Sequence, residues 1–364
     1  MTLSGNQSSA APRVMPAECG PPGRQKSPRW MISRAVPRHR SRHGSAKSST
    51  LVELPPIPAP RLLPSGKLHQ ALAVCVLLVA VAVAGAAASA AQPDGPPAGL
   101  ELRWSDAGLT YSSAIRTTPR PLRIHVLELE FESPRYEPVV VVSADPDGAG
   151  PAEAKLEKAE QLAEEMHLVA AVNASPFGGL PDATGKRSED WRLGMPVELL
   201  GWAVADAEQR SGVQPGWPNF WIDEAGRGRV KSYEATKQEN PPVWQAVGGF
   251  GMILAAGMIR VDAGGALQPR TAVGVDGEGK TMWLVVVDGR QPGFSEGMSE
   301  HELATLMQQV GCSDGLNLDG GGSSIMLVSD PRDDKRPPIQ AVNSPSGWSR
   351  RPLPMLLGVR RKAE

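Results

Sequence analysis

The chain is poor in cysteine and histidine. Of three cysteines, only Cys312 lies beyond the first 75 residues, so the body cannot close an intrachain disulfide. No Cys-x-x-Cys pair and no Cys/His cluster with zinc spacing occurs, which excludes a structural zinc site. The body has three histidines, His125, His167 and His301, none in a motif, and each reads as structural. No lysine follows the glycine run at 320–322, which excludes a phosphate-cradling P-loop. Ser323 has no glycine two residues on, which excludes a nucleophile elbow.

The formal net charge of -1 hides two opposed halves. Residues 1–70 hold eleven Lys/Arg against two Asp/Glu, leaving 27 basic and 37 acidic residues for the rest. An acidic body argues against nucleic-acid binding, which needs a basic face to neutralise phosphates. The leader 1–70 is rich in Pro, Ser and Arg and nearly free of aromatics, and reads as disordered. The uncharged apolar run Ala71–Ala91 follows it and ends in Ala88-Ser89-Ala90. It fits an export signal cleaved after Ala90, or an uncleaved anchor giving membrane attachment. Either reading places the body outside the cytoplasm: periplasmic, at the cell surface or secreted.

A Pro/Gly linker covers 92–101, and the folded body is expected over 102–364. Leu122–Phe131 alternates apolar and polar residues as a half-buried strand does, and "EPVVVVSA" reads as a second strand. The helix formers of Pro151–His167 predict a helix, followed by a buried strand ending at Asn173. The Gly/Pro-rich stretch Gly178–Gly216, with its tryptophans, reads as long loops. Two hairpins are expected, with turns near Ala225-Gly226 and at Asp276-Gly277. Between them and the glycine run lies a punctuated helix: Ser299 as N-cap, Glu302 completing a capping box, Gly311 as stop. This order predicts a mixed α/β fold, a single domain with one main β-sheet and a few intervening helices.

The chemistry concentrates in "NLDGGGSS", residues 317–324. A strand is expected to end at Asp319, where a carboxylate can act as acid, base or nucleophile. Gly320, Gly321 and Gly322 permit positive φ and a concave nest of N–H donors suited to an anion, and Ser323 and Ser324 add hydroxyls. The bland alternative is a tight turn with a capping aspartate. "VVVDGR" offers a second strand-end carboxylate, Asp288, with Arg290 two residues on; an ordinary Asp-Gly turn is its alternative. Arg270 opens a strand, where a guanidinium can grip a phosphate bidentately or simply face solvent. Asn173 ends a buried strand as a substrate donor or an ordinary terminal residue.

Together "NLDGGGSSIM", "RTAVGV", "VVVDGR", "AAVNASPF", "GGFGMIL" and "RRPLPMLLGV" resemble the phosphodiester glycosidase family over about Leu122–Val359, with Arg351 at the family's closing arginine. Leu180–Trp217 matches no part of that pattern. The resemblance implies hydrolysis between an anomeric carbon and a phosphate oxygen, without metal or cofactor, on a sugar-phosphate or exopolysaccharide substrate. It implies catalytic Asp319 with Asp288 as partner or hydroxyl clamp. It also implies substrate contacts from Asn173, Arg270, Arg290, Gly320, Gly321, Gly322, Ser323, Ser324 and Arg351. Two other classes stay open: a non-catalytic binder of an anionic envelope polysaccharide, and a metal-dependent phosphodiesterase, for which clustered Asp/His ligands are lacking.

Overall fold

Three strands open the body as a meander, β1 (Glu101–Asp106), β2 (Leu109–Arg116) and β3 (Leu122–Glu130). β3 forms where a half-buried strand is expected but is buried on both faces, with Leu122, Ile124 and Val126 in one core cluster and Leu127 and Leu129 in another. The computed structural model describes residues 99–239, 241–333, 337–347 and 349–363. Contacts divide the chain into Met1–Val79 and Ala80–Glu364, and all described residues lie in the second unit. The leader, the apolar run 71–91 and the linker up to residue 98 lie outside them. Among the described residues no helix is long and apolar enough to cross a membrane.

The remaining elements of the two largest sheets follow in chain order. They are β4 (Tyr136–Val142), helix α1 (Ala159–Glu165), β5 (Leu168–Asn173), helix α2 (Tyr233–Glu239), β6 (Gly251–Ala255) and β7 (Met258–Ile259). Then come β8 (Arg270–Val275), β9 (Thr281–Val287), helix α3 (Glu300–Val310), β10 (Asp314–Asn317), β11 (Met326–Val328), β12 (Gln340–Ala341) and β13 (Met355–Arg361). The main sheet has eight strands in the order β1-β2-β3-β9-β8-β10-β6-β7, and a five-stranded sheet has the order β12-β11-β5-β13-β4. Two smaller sheets, of five and three strands, are built from residues 203–248 and 154–199. The fold is a sheet-dominated α/β domain.

One apolar core joins the inner faces, with Val273, Leu284 and Leu316 from the main sheet meeting Val172, Met326 and Leu357 from the second. The outer face of the main sheet buries Val285 and Val287 against Leu303 and Met307 of α3. The outer face of the second sheet buries Ala171 and Leu356 against Leu162 and Ala163 of α1. β5 is covered on both faces, which is why all six of its residues are apolar or fully hydrogen-bonded and buried.

Local punctuation mostly falls where it is expected. Ser299 Oγ accepts from Glu302 N at 3.2 Å and Ser299 N donates to Glu302 Oε2 at 2.9 Å, closing the capping box of α3. Gly311 ends that helix in the left-handed region at φ 112°. In the β8–β9 turn Asp276 Oδ1 accepts from Glu278 N and Lys280 N, and the positive φ of 71° falls on Gly279.

Two expectations need correction. The helix over Pro151–His167 shrinks to α1, because Ala154–Lys155 is drawn into a strand paired with Pro196–Val197 and Leu156 is buried. Tertiary pairing there overrides the helix propensity of "AEAKLEK". The stretch 178–216 is not all loop: short strands occupy Phe177–Gly179, Pro196–Leu199, Ala203–Ala205 and Glu208–Ser211.

Candidate active site

The glycine run is the crossing from one sheet to the other. β10 pairs with β8 and β6 in the main sheet, whereas β11 pairs with β5 in the second. Leu318 N donates to Thr271 O at 2.9 Å and Asp319 N to Ala174 O at 3.2 Å, so the chain bridges the two sheets as it leaves β10.

Each glycine leaves room for a specific neighbour. A Cβ on Gly322 would lie 3.0 Å from a guanidinium nitrogen of Arg351. On Gly321 it would lie 3.1 Å from both terminal nitrogens of Arg290, and on Gly320 3.0 Å from the carbonyl oxygen of Pro269. Of the three, only Gly321 has positive φ, at 62°. The run therefore serves close approach more than unusual backbone angles: two guanidiniums lie against the peptide groups.

The expected nest of free N–H donors does not form. Gly320 N donates to Asp319 Oδ1 at 3.0 Å and Gly321 N to Pro269 O at 3.0 Å. Ser323 N donates to Gly320 O and Ser324 N to Gly321 O, making one turn of 3₁₀ helix. The positive charge of the site comes from arginine side chains instead.

Arg351 donates from Nη1 to Ser323 Oγ at 3.2 Å and stacks over Trp191 at 5.5 Å from its ring centre. Trp191 in turn packs edge-on against Phe177 at 5.0 Å. Burial makes the Arg351 guanidinium less basic; Asp319 opposes that shift and the neighbouring Arg290 adds to it. Asp319 is partly exposed yet crowded by protein. Burial pushes its carboxyl up to about 6, against the opposing pull of Ser323, Arg351 and Gly320 N. Two neighbouring cations and a carboxylate that ionises near neutrality make a site for one anionic group beside a titrating oxygen.

Residues 201–360 match the family model described as phosphodiester glycosidase. A hypothetical protein from Synechocystis, solved as a crystal structure, aligns with 73% of this chain and 64% of its own at 15% identity and a TM-score of 0.50. The chain thus spans less than two thirds of that protein's length, and the likeness is one of fold. The catalytic domain of zebrafish N-acetylglucosamine-1-phosphodiester alpha-N-acetylglucosaminidase, auto-inhibited by its pro-peptide, aligns with 74% of this chain and 85% of its own, at 21% identity and a TM-score of 0.48. No curated protein sequence matches the chain.

The phosphodiester glycosidase segment contains Arg270, Asp288, Arg290, Asp319 and Arg351, but not all of them converge. Arg270 is spent on the scaffold: Nε donates to Met298 O at 3.0 Å, Nη1 to Glu300 Oε1 at 3.2 Å and Nη2 to Ala266 O at 3.1 Å. It ties the start of β8 to α3 and is not a free phosphate grip. Asn173 is likewise used up. Its Nδ2 donates to Asp319 O at 2.6 Å, and its Oδ1 accepts from Thr271 Oγ1 at 2.7 Å and Ile325 N at 3.1 Å. It braces both ends of the crossing, with its oxygen filled by two donors and one of its two amide hydrogens given to Asp319 O. Asp288 is held by partners other than those of Asp319. Asp288, 1% exposed, accepts from Asn343 Nδ2 at 2.9 Å and Ser344 N at 2.9 Å, and faces His125. Ser324 is buried, with no protein partner for its hydroxyl.

Trp191, Gln268 and Asn343 join the site without a sequence signal. Gln268 Oε1 accepts from Arg290 Nε at 2.6 Å; Asn343 links Asp288 to Ser324 O. Backbone strain marks Arg290, which sits at φ 58°, where a side chain costs about 1 kcal/mol or more. We expect Arg290→Gly to raise stability by roughly 0.5–1 kcal/mol, net of the added chain entropy of glycine. The same variant should weaken inorganic phosphate binding about tenfold, through loss of one charge-assisted contact. A melting curve beside a phosphate titration checks both, and an unchanged or lower melting temperature would refute the strain argument.

Proposed function

We propose that the chain hydrolyses sugar-1-phosphodiesters, breaking the bond between the anomeric carbon and the phosphate oxygen. The observation that carries this reading is the arrangement of Arg290 and Arg351 around the Gly320–Gly322 crossing, with Asp319 bonded to its first N–H. A phosphodiester carries one negative charge, and the two guanidiniums relieve their mutual repulsion by sharing it. Asp319, with its carboxyl near 6, is mostly ionised at neutral pH and available at the anomeric carbon as base or nucleophile. The departing phosphate monoester is a far weaker base than a sugar alkoxide. One carboxylate is therefore enough, which accords with Asp288 being engaged elsewhere. The match of residues 201–360 to the phosphodiester glycosidase model supports the reaction class. The basic leader before the apolar run 71–91 supports an extracytoplasmic setting, in which envelope glycans carrying sugar phosphates are the substrate class.

The test is a product assay on the full chain, with N-acetylglucosamine-1-phosphodiesters first in a panel of sugars, run in ¹⁸O water. Free sugar carrying the label is the expected result. Label in phosphate would reveal phosphorus–oxygen cleavage instead. Binding without any release across the panel would leave a glycan-binding protein on this fold.

A further inference from the structure

Beside the crossing lies a second polar chamber of about 380 Å³ whose lining includes Asn343 but none of Arg290, Arg351 and Asp319. Arg103, Arg123, His125 and Asp288 supply its charged and titratable groups. Arg123 is held with its guanidinium 3.9 Å from the ring centre of Phe294, and its Nε is buried with no protein partner. His125 is 8% exposed and its Nε2 is also buried without a hydrogen bond.

Each ring nitrogen of His125 has an identifiable neighbour. Tyr111 OH lies 2.9 Å from His125 Nδ1. Burial pushes the Tyr111 hydroxyl up to about 12, so it keeps a proton that it can donate to Nδ1. His125 Nε2 faces Asp288 Oδ2 at 3.8 Å, too far for a hydrogen bond but on the side where a ring N–H has a carboxylate to point at. Asp288 itself already takes bonds from Asn343 and Ser344. Two buried nitrogens of one chamber, Arg123 Nε and His125 Nε2, thus lack hydrogen-bond partners among the described residues, and each such orphan costs about 1–3 kcal/mol. Arg103 is paired with Glu101 at 3.1 Å, so the guanidinium left to the chamber is that of Arg123.

We propose that this chamber is a second oxyanion subsite, in which a phosphate or carboxylate group accepts hydrogen bonds from Arg123 Nε and His125 Nε2. Asn343 donates to both Asp288 Oδ1 and Ser324 O, so one residue separates the chamber from the crossing. Resting on the proposed hydrolysis, this defines the preferred substrate as a sugar-1-phosphodiester with a second acidic group, such as one unit of a phosphate- or uronate-bearing polymer.

The test has two arms on the full-length chain. Imidazole ¹H–¹⁵N spectra are followed during titration with inorganic phosphate, the His125 signals being assigned by their loss in His125→Gln. The expected result is a His125 shift in wild type and in Arg351→Gln, with apparent affinity about tenfold weaker in Arg123→Gln. A His125 signal indifferent to phosphate, or an equal response in Arg123→Gln, overturns the subsite. This arm needs no turnover, so it stands or falls apart from the hydrolysis. The second arm compares sugar-1-phosphodiesters with and without a carboxylate on the aglycone. A KM about tenfold lower for the carboxylated substrate, at equal kcat and with the gap closed in Arg123→Gln, assigns the oxyanion to the substrate. No gap, alongside a phosphate-responsive His125, assigns it to a free small anion and removes the substrate preference.

Discussion

Asp319→Asn is expected to reduce sugar release from a sugar-1-phosphodiester by on the order of 10³-fold, because it removes the carboxylate at the reacting centre while keeping its shape. The same substitution should stabilise the protein at neutral pH. Burial raises the Asp319 carboxyl from 3.8 to about 6, so the folded state holds this proton more tightly than the unfolded chain does. Between about 4 and 6 the folded protein binds more protons, and wild-type stability falls as pH rises through that window. Above it the penalty is complete, at most roughly 3 kcal/mol for a shift of about two units. Asparagine has no charge to desolvate. The melting temperature of Asp319→Asn should therefore exceed wild type at pH 7.5, and the difference should shrink toward pH 4. Activity of the wild type should show an ascending limb near pH 6. An Asp319→Asn protein that melts at the same temperature as wild type throughout would mean the carboxylate is not desolvated, and the reading of its role would go with it.

Much of this site is legible as residue type and little of it as connection. Alternation, capping and turn residues place β3, α3 and the β8–β9 hairpin, because those signals act over a few neighbours in sequence. The triple glycine announces a special backbone site, but its cause is nonlocal. Gly322 makes room for Arg351, 29 positions away by their numbers, and Gly321 for Arg290. Nothing near the glycines says that their two sides pack against guanidiniums, so free N–H groups look like the natural reading. The roles of Arg270 and Asp288 are illegible for a related reason. Both lie at strand ends beside the crossing, and alternation does assign each a face of the sheet. Whether a strand-end side chain meets substrate depends on what covers that face. For Arg270 it is Glu300 at the start of α3; for Asp288 it is the 343–344 segment. Trp191 was invisible because the stretch around it matches no family pattern and shows no periodicity of its own.

Asn173 is where scaffold and chemistry meet. Its amide makes three buried hydrogen bonds, to Asp319 O, Thr271 Oγ1 and Ile325 N, and so ties β5 to both ends of the crossing and to β8. Asn173→Ala leaves buried donors at Thr271 and Ile325 and a part-buried acceptor at Asp319 without their partner. At about 1–3 kcal/mol for each orphan, partly relaxed, we expect a loss of roughly 3–5 kcal/mol, a large share of a typical domain's 5–15. Urea unfolding followed by tryptophan fluorescence measures it. The loss should not stop at stability. Asp319 keeps its position through its own backbone carbonyl, and Arg351 reaches the site through Ser323 on the far side of the same turn. A crossing loosened at both ends lets these groups drift, and a displacement of about 1 Å at a reacting centre costs on the order of 100-fold in rate. Assayed at a temperature where Asn173→Ala is still folded, kcat should therefore fall by about that factor, with KM for the phosphodiester raised as well. Unchanged kinetics in the folded variant would show that the crossing holds its shape without this amide, and the brace would then be a stability element alone.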